Sequence, residues 1–196
     1  MNNYNIDFII KKLSERANVI AIRTDTVYGL ICNALDKEAT EKIYRIKERE
    51  KKKPLSIFVK SVDEVKKYVD ETNLSNKTLE LMNKYWPGAL TIVFRKKDDT
   101  FDHITANSDG IGIRIPNDRE LQLILEKVSF PLAQTSCNIS GENEYRNALE
   151  INEHMGNLVD LIVDGGEITN SIPSTVVSVE CGDIIVLRNG AIKIDV

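Results

Sequence analysis

The chain has 196 residues, 42% of them hydrophobic, and its formal net charge at pH 7 is −4. This length and composition predict one domain, residues 1–196, with a sizeable core, and the acidic balance argues against a broad basic surface of the kind that coats nucleic acid. No apolar run reaches the roughly 18 residues that a membrane helix needs, which favours a cytoplasmic protein.

The first half of the chain alternates predicted helices with short apolar strands. IDFIIKKL has helical spacing, and the β-branched run that follows it predicts a buried strand at 19–22. The apolar residues of the next segment, TDTVYGL, show neither helical nor strand periodicity. Asp36 can cap a helix that runs to about Glu48, and Pro54 separates that helix from a second strand, LSIFV. Two more helices are predicted, one opening on the capping box SVDE and one at NKTLELMNKYW.

The second half predicts more strands than helices. ALTIVF and GIGIRI predict strands, and Asn117 is the candidate cap of a helix at LQLILEKV. A strand at FPLAQ, a helix at NALEINEHM and a strand at DLIVD follow. Turn signals at Cys181-Gly182-Asp183 and Asn189-Gly190 separate STVVSVE, IIVLR and AIKIDV, which predict an antiparallel meander. Together, these predicted helices and strands indicate a mixed α/β fold.

Positive charge is concentrated in one stretch, residues 42–53, where seven Lys or Arg residues stand against two glutamates. A local patch of this kind in an acidic chain indicates a small anionic ligand rather than a nucleic-acid surface. The alternative is that lysines near a helix end stay solvated and complement the helix dipole.

Several common chemistries lack their motifs. The sequence has no G-x-x-x-x-G-K-[ST], no complete G-x-G-x-x-G, no G-x-S-x-G and no H-E-x-x-H. Two histidines are too few for a histidine-rich metal site, and the three cysteines lack C-x-x-C spacing, which favours reduced thiols. Phosphate binding would therefore depend on scattered cations, hydroxyls and backbone amides.

Polar groups follow several of the predicted strands. Thr24 and Thr26 come directly after the first strand, where α/β sheets tend to bind ligands, although an ST-turn explains them equally well. Ser136 and Asn138 lie in the loop PLAQTSCNISGE, which suits a cradle for ribose or phosphate oxygens or a simple polar turn. Arg188 is at a strand end, where arginines are more often surface residues than ligands.

Taken in order, seven blocks of the sequence resemble the YrdC-like threonylcarbamoyl-AMP synthase family over nearly the whole chain. They are TDTVYGL, KER with KPLSIFV, WPGALTIVF, GIGIRIPN, PLAQTSCNISG, STVV and LRNGAI. The family's Lys-x-Arg and Ser-x-Asn motifs correspond to Lys47-Glu48-Arg49 and Ser136-Cys137-Asn138. The resemblance implies a YrdC-like open, twisted, mixed α/β sheet with helices around a concave basic cavity.

The resemblance also implies a reaction. A nucleotidyltransferase of this family joins L-threonine, bicarbonate and ATP into threonylcarbamoyl-AMP, releases pyrophosphate, and uses Mg²⁺ with ATP. The product is then passed to a tRNA-modifying transferase complex, with tRNA binding by the synthase itself indirect or weak. The chain resembles the short form of the family, which has no second domain.

The resemblance also implies roles for individual residues, which are assigned by their position in the matching motifs. The catalytic candidates Lys47 and Arg49 are expected on a concave, partly exposed surface, and no metal ligands are assigned. Phe58 stands where many relatives have a histidine, and Glu50 where many have a proline. The ATP candidates are Lys47, Arg49, Lys53, Ser136, Asn138 and Arg188, and the threonine candidates are Thr26, Arg114 and Ser174.

Two other functions remain open at this stage. A basic cavity could bind double-stranded RNA or tRNA without catalysis, although the net charge of −4 argues against this. The same fold occurs in carbamoyl-transfer domains of hydrogenase maturation proteins, which usually sit in larger chains. Threonine-dependent release of pyrophosphate from ATP would separate the three.

Overall fold

A computed structural model of the chain describes residues 5–180 and 183–194. Within these residues nine strands form one sheet, and seven α-helices and two 3₁₀ turns connect them. The strands are β1 Ile20–Arg23, β2 Tyr28–Asn33, β3 Ser56–Phe58, β4 Leu90–Arg95, β5 Gly110–Arg114, β6 Leu132–Ser136, β7 Leu161–Val163, β8 Thr175–Glu180 and β9 Asp183–Arg188. The helices are α1 Ile6–Ser14, α2 Lys37–Ile46, α3 Val62–Val65, α4 Asn76–Tyr85, α5 Asp102–Thr105, α6 Arg119–Lys127 and α7 Ala148–Met155.

Side-chain caps fix where several helices begin. Asp36 accepts hydrogen bonds from the backbone N–H groups of Glu38 and Ala39 at the start of α2, and Ser61 caps α3 in the same way. The predicted cap of α6 was wrong by one residue. Asp118 directly precedes the first helical residue and accepts from the Leu121 N–H, while the N–H of Asn117 donates to Asp25.

Two strand predictions were also wrong. No strand is predicted at TDTVYGL from the sequence, but β2 begins at Tyr28 and pairs with β1 in a hairpin. Five of the six β2 residues are buried, so the strand lacks the alternation that marks a half-exposed strand. AIKIDV was predicted to be a strand, yet residues 191–194 have no strand structure. Residues 195 and 196, like the predicted turn at Cys181 and Gly182, lie outside the described residues.

The strand order is β7-β1-β2-β6-β3-β5-β4-β8-β9. Three neighbouring pairs are parallel, namely β1 with β7, β3 with β5 and β4 with β8, and the other five are antiparallel. The sheet is open, since β7 and β9 are its edges, and mixed. The expected open, twisted, mixed α/β sheet is therefore confirmed.

The two faces of the sheet are covered differently. One face carries the larger core, which packs against α2, α4 and α7. On the other face α1 and α6 cover β7, β1, β2, the start of β6 and the end of β3, in a smaller core that includes Phe58. Ser56 lies on the same face as Phe58 because alternate strand residues share a face. Ser56 is beyond the reach of α6, and the uncovered part of this face forms a cavity.

Candidate active site

The cavity has a volume of about 330 Å³ and a floor of short side chains. Gly112 of β5 lies opposite Ser56 of β3, which in turn lies opposite Gln134 of β6. A methyl group on Gly112 would stand 3.1 Å from the Ser56 Cβ and 3.5 Å from Thr91 Cγ2. The strands can approach a ligand closely here because the residues that face it have little bulk.

Three arginines line the cavity from three different elements: Arg49 follows α2, Arg114 ends β5 and Arg188 ends β9. Burial lowers the pKa of Arg49 and of Arg114, and the positive charge of Arg188 lowers both further. Each guanidinium is anchored to backbone carbonyls; Arg49 donates to those of Lys53 and Pro54, and Arg188 to that of Ser174 at 2.7 Å. The cavity therefore has three preorganised positive groups.

Arg114 is the most buried of the three, with only 3% of the side chain exposed. Its Nε donates to the Gly88 carbonyl at 2.9 Å, its Nη1 to Thr26 Oγ1 at 2.9 Å and its Nη2 to Asp25 Oδ1 at 2.5 Å. The predicted neighbours Thr26 and Arg114 are thus brought together. Asp25 was missed, because a single carboxylate in a loop gives no sequence signal.

Lys47 is buried, which differs from the expectation that it sits on a partly exposed surface. Only 1% of the residue is exposed, and it does not line the cavity. Its Nζ donates to the carbonyls of Ser136 and Asn138 at 2.5 and 2.7 Å and to Asn138 Oδ1 at 2.8 Å. Burial, and then the charge of Arg49, lowers its pKa to about 8. Arg49 is partly exposed in the cavity wall, as expected.

The turn at the end of α2 separates these two cations. Glu48 has a left-handed backbone with φ of 50°. The N–H of Arg49 donates to the Tyr44 carbonyl and that of Glu48 to the Arg45 carbonyl, which is the Schellman pattern. Consequently Lys47, at the helix end, is directed behind the wall, and Arg49 continues into the cavity.

The Ser136–Asn138 loop is held by its own hydrogen bonds as well as by Lys47. Ser136 Oγ donates to Asn138 Oδ1 at 2.7 Å, and Asn138 Nδ2 donates to the Glu142 carbonyl at 2.7 Å. Ser136 lines the cavity, whereas Asn138 is buried behind it. The Lys-x-Arg and Ser-x-Asn motifs are therefore joined in one network with a single exposed hydroxyl.

The remaining predicted residues fall into two groups. Thr26 and Ser174 line the cavity, and the Ser174 hydroxyl lies 2.9 Å from the Thr91 hydroxyl. Thr24 makes the ST-turn proposed from the sequence, since its Oγ1 accepts from the N–H groups of Thr26 and Val27, and it also lines the cavity. Lys53 is outside the wall, with its Nζ 3.7 Å from the Glu50 carboxylate.

Sequence reasoning missed part of the cavity floor. Thr91, Ser56 and Gln134 line it, and Gln134 Nε2 donates to Ser56 Oγ. Part of the signal was present, because Ser56 lies between the buried Leu55 and Ile57, and Thr91 between the buried Leu90 and Ile92. A polar residue between two buried apolar residues of a strand lies on the opposite face, which can meet water or a ligand.

Over residues 5–180 and 183–194, no group of three or more His, Cys, Asp or Glu side chains is placed to hold a metal ion. No helix in the same residues has both the length and the apolar character to span a membrane.

The chain is similar to a known protein family over most of its length. The profile of the Sua5/YciO/YrdC family, described as "Telomere recombination", matches residues 12–190. The chain is 38% identical over 188 residues to a Methanocaldococcus jannaschii protein provisionally named threonylcarbamoyl-AMP synthase, and the match covers 94% of this chain and 86% of that protein.

Two solved structures are similar over almost all of the chain. Sua5 of P. abyssi in complex with L-threonine has a TM-score of 0.87 at 30% identity, covering 94% of this chain and 54% of the other. Full-length HypF in a phosphate- and nucleotide-bound form has a TM-score of 0.84 at 26% identity, covering 97% of this chain and 29% of the other. The chain thus spans about half the length of the first protein and less than a third of the second.

Proposed function

Because the chain belongs to the Sua5/YciO/YrdC family, we propose that it is an L-threonylcarbamoyladenylate synthase, a nucleotidyltransferase that makes threonylcarbamoyl-AMP and pyrophosphate from L-threonine, bicarbonate and ATP. The relative that is 38% identical carries the name of this activity, and Sua5 was solved with L-threonine bound. A tRNA-modifying transferase complex would consume the product.

The observation that carries the proposal is the convergence of Arg49, Arg114 and Arg188 on one cavity in an acidic chain. All three proposed substrates carry a carboxylate, bicarbonate or phosphate group, and guanidinium groups bind such anions through paired hydrogen bonds. A cavity with three preorganised cations suits a reaction in which negative charge accumulates on a leaving pyrophosphate.

We assign the two ends of the cavity to different substrates. The triphosphate would lie along Arg49, Ser136 and Arg188, which all line the wall. Lys47 and Asn138 support this end from behind, since Lys47 directs its N–H donors at the loop that carries Ser136. Lys53 does not line the cavity and would contact the nucleotide at most at the cavity rim. The amino acid would lie against Thr26, Arg114 and Ser174.

The chemistry needs positioning more than proton transfer. The threonine nitrogen adds to bicarbonate with loss of water and gives a carbamate, and a carbamate oxygen then attacks the α-phosphorus as pyrophosphate leaves. Both substrates must share one cavity because the carbamate decomposes if it has to diffuse. Mg²⁺ would arrive with ATP, since it commonly binds through substrate phosphates and water rather than a protein cage.

The test is to incubate the protein with ATP, Mg²⁺, bicarbonate and each amino acid in turn, and to detect the adenylate by mass spectrometry and pyrophosphate by a coupled assay. We expect both products with threonine. Pyrophosphate release that needs carbamoyl phosphate instead of threonine would indicate hydrogenase-type chemistry. Binding of tRNA without any pyrophosphate release would indicate a binding module.

A variant links this activity to the cavity. Arg49→Ala should lower turnover by about 10² to 10³, the range for losing one preorganised charge-stabilising donor. Lys52→Ala is the matched control, because Lys52 lies three residues away with its side chain 78% exposed and paired to Glu50. If the two variants lose turnover equally, the assignment of Arg49 is wrong.

A further inference from the structure

Asp25 makes contacts that the proposed reaction does not yet explain. Its side chain is 13% exposed, although the residue as a whole lies at the surface. One carboxylate oxygen accepts from Arg114 Nη2 at 2.5 Å, and the other accepts from the Asn117 N–H at 3.0 Å. Asp25 therefore joins the loop after β1, the end of β5 and the loop before α6.

These contacts fix which donors Arg114 can offer to a ligand. A guanidinium has five N–H groups. The bonds to Gly88, Thr26 and Asp25 use three of them and leave one on Nη1 and one on Nη2 without a partner among the described residues. Since Arg114 lines the cavity, its orientation decides where a carboxylate can bind it.

Asp25 also sets the charge at this end of the cavity. Of the three cavity arginines, Arg114 is the one with a carboxylate within 4.0 Å among the described residues. Arg114 and Asp25 together thus carry no net charge. Arg49 and Arg188, which donates to the Ser174 carbonyl, have no carboxylate within that distance in the described part of the chain. A neutral end suits a zwitterion, and a positive end suits a triphosphate.

We propose that Asp25 is the positioning residue for amino-acid binding: it holds Arg114 in the orientation that receives the substrate carboxylate and neutralises its charge, so that Arg49 and Arg188 carry the net positive charge of the cavity. The proposal rests on the proposed function and names a residue that determines how one of its substrates, threonine, is bound.

Removing the charge of Asp25 should affect the binding of threonine and of ATP differently. In Asp25→Asn, Arg114 loses its ionic anchor, and a misplaced binding group weakens amino-acid binding. The added positive charge gives little to a zwitterion, which has no net charge, but it favours ATP. We expect the threonine KM to rise about tenfold, while the ATP KM stays the same or falls.

Two variants separate this effect from a loss of stability. Asp160→Asn is the matched control, because Asp160 also accepts a backbone N–H, that of Val19, and pairs with a cation, Lys42, but lies outside the cavity wall. It should lower the melting temperature without separating the two KM values. Asp25→Glu keeps the charge but places the carboxylate on a longer side chain, so it should raise the threonine KM and leave the ATP KM unchanged. This second variant keeps the inference testable even if Asp25→Asn folds poorly.

A double-mutant cycle tests whether Asp25 affects threonine binding through Arg114. If Asp25 acts through Arg114, then Asp25→Asn should add little to the threonine KM of Arg114→Lys. A parallel rise of both KM values in either Asp25 variant, an unchanged threonine KM in both, or additive effects with Arg114→Lys would overturn the inference while leaving the proposed function standing. A wild-type protein without threonine-dependent pyrophosphate release would overturn both.

Discussion

At the scale of single residues, Lys47 shows how burial changes the role of a cation. A lysine that directs three N–H donors at the Ser136–Asn138 loop cannot point the same donors at a nucleotide in this geometry. Its sequence position, beside Arg49 in a basic stretch, suggested a ligand-facing side chain. The motif identified the correct neighbours, but only the structure shows that one cation lies in the wall and the other behind it.

The lowered pKa of Lys47 predicts a pH-dependent stability. Its pKa is about 8 in the folded protein and higher, at the ordinary lysine value of 10.5, when unfolded. Between these values the unfolded chain binds more protons, so the contribution of Lys47 to the free energy of unfolding rises with pH. The difference in unfolding free energy between wild type and Lys47→Met should change in that direction from pH 8 to 10, by up to about 1.4 kcal/mol per pH unit.

Urea unfolding at several pH values measures this difference. Lys42→Met is a suitable control, because Lys42 pairs with Asp160 in a part-buried position outside the cavity. A difference between wild type and Lys47→Met that does not vary with pH would show that Lys47 titrates normally and that its burial does not disfavour its charge.

At the scale of elements, helix starts were easier to predict than the strand β2. Helix starts have local causes, such as Asp36 and Ser61, whose side chains satisfy N–H groups two or three residues ahead. The strand β2 was missed because its burial depends on pairing with β6, about a hundred residues further along the chain, as well as with its neighbour β1. The cavity likewise depends on register, since Ser56, Gly112 and Gln134 meet only when three strands align.

The turn between Lys47 and Arg49 gives an element-scale prediction. Glu48 occupies the left-handed position of a Schellman turn, where a side chain costs about 1–2 kcal/mol and glycine costs nothing. Glu48→Gly should therefore raise the free energy of unfolding by about 1 kcal/mol, as measured by urea denaturation. Glu41→Gly, within α2, should lower it by about the same amount. A Glu48→Gly variant as unstable as Glu41→Gly would mean that the turn is not under strain.

At the scale of the whole molecule, the basic stretch at 42–53 does not form a basic face. Lys42 pairs with Asp160, Lys47 is buried, and Arg49 lies in the cavity wall. The exposed lysines of the stretch are matched by carboxylates, as Lys51 is by Glu41 at 3.3 Å and Lys52 by Glu50 at 2.6 Å. Composition alone predicts one small anionic ligand, but the pairing that disperses the patch depends on the fold.

This distribution of charge predicts weak binding to tRNA. Because most exposed cations of this stretch are paired, it can neutralise only a few phosphates, so the affinity should be in the non-specific range of about 10⁻⁴ to 10⁻⁶ M and should fall as salt rises from 50 to 200 mM. Fluorescence anisotropy with labelled tRNA, without ATP, measures both quantities. Charge reversal by Glu50→Lys should tighten binding and steepen its salt dependence, because it removes the carboxylate that pairs with Lys52. A tight complex that is insensitive to salt would instead require a recognition surface other than the one described, and would favour a tRNA-binding function.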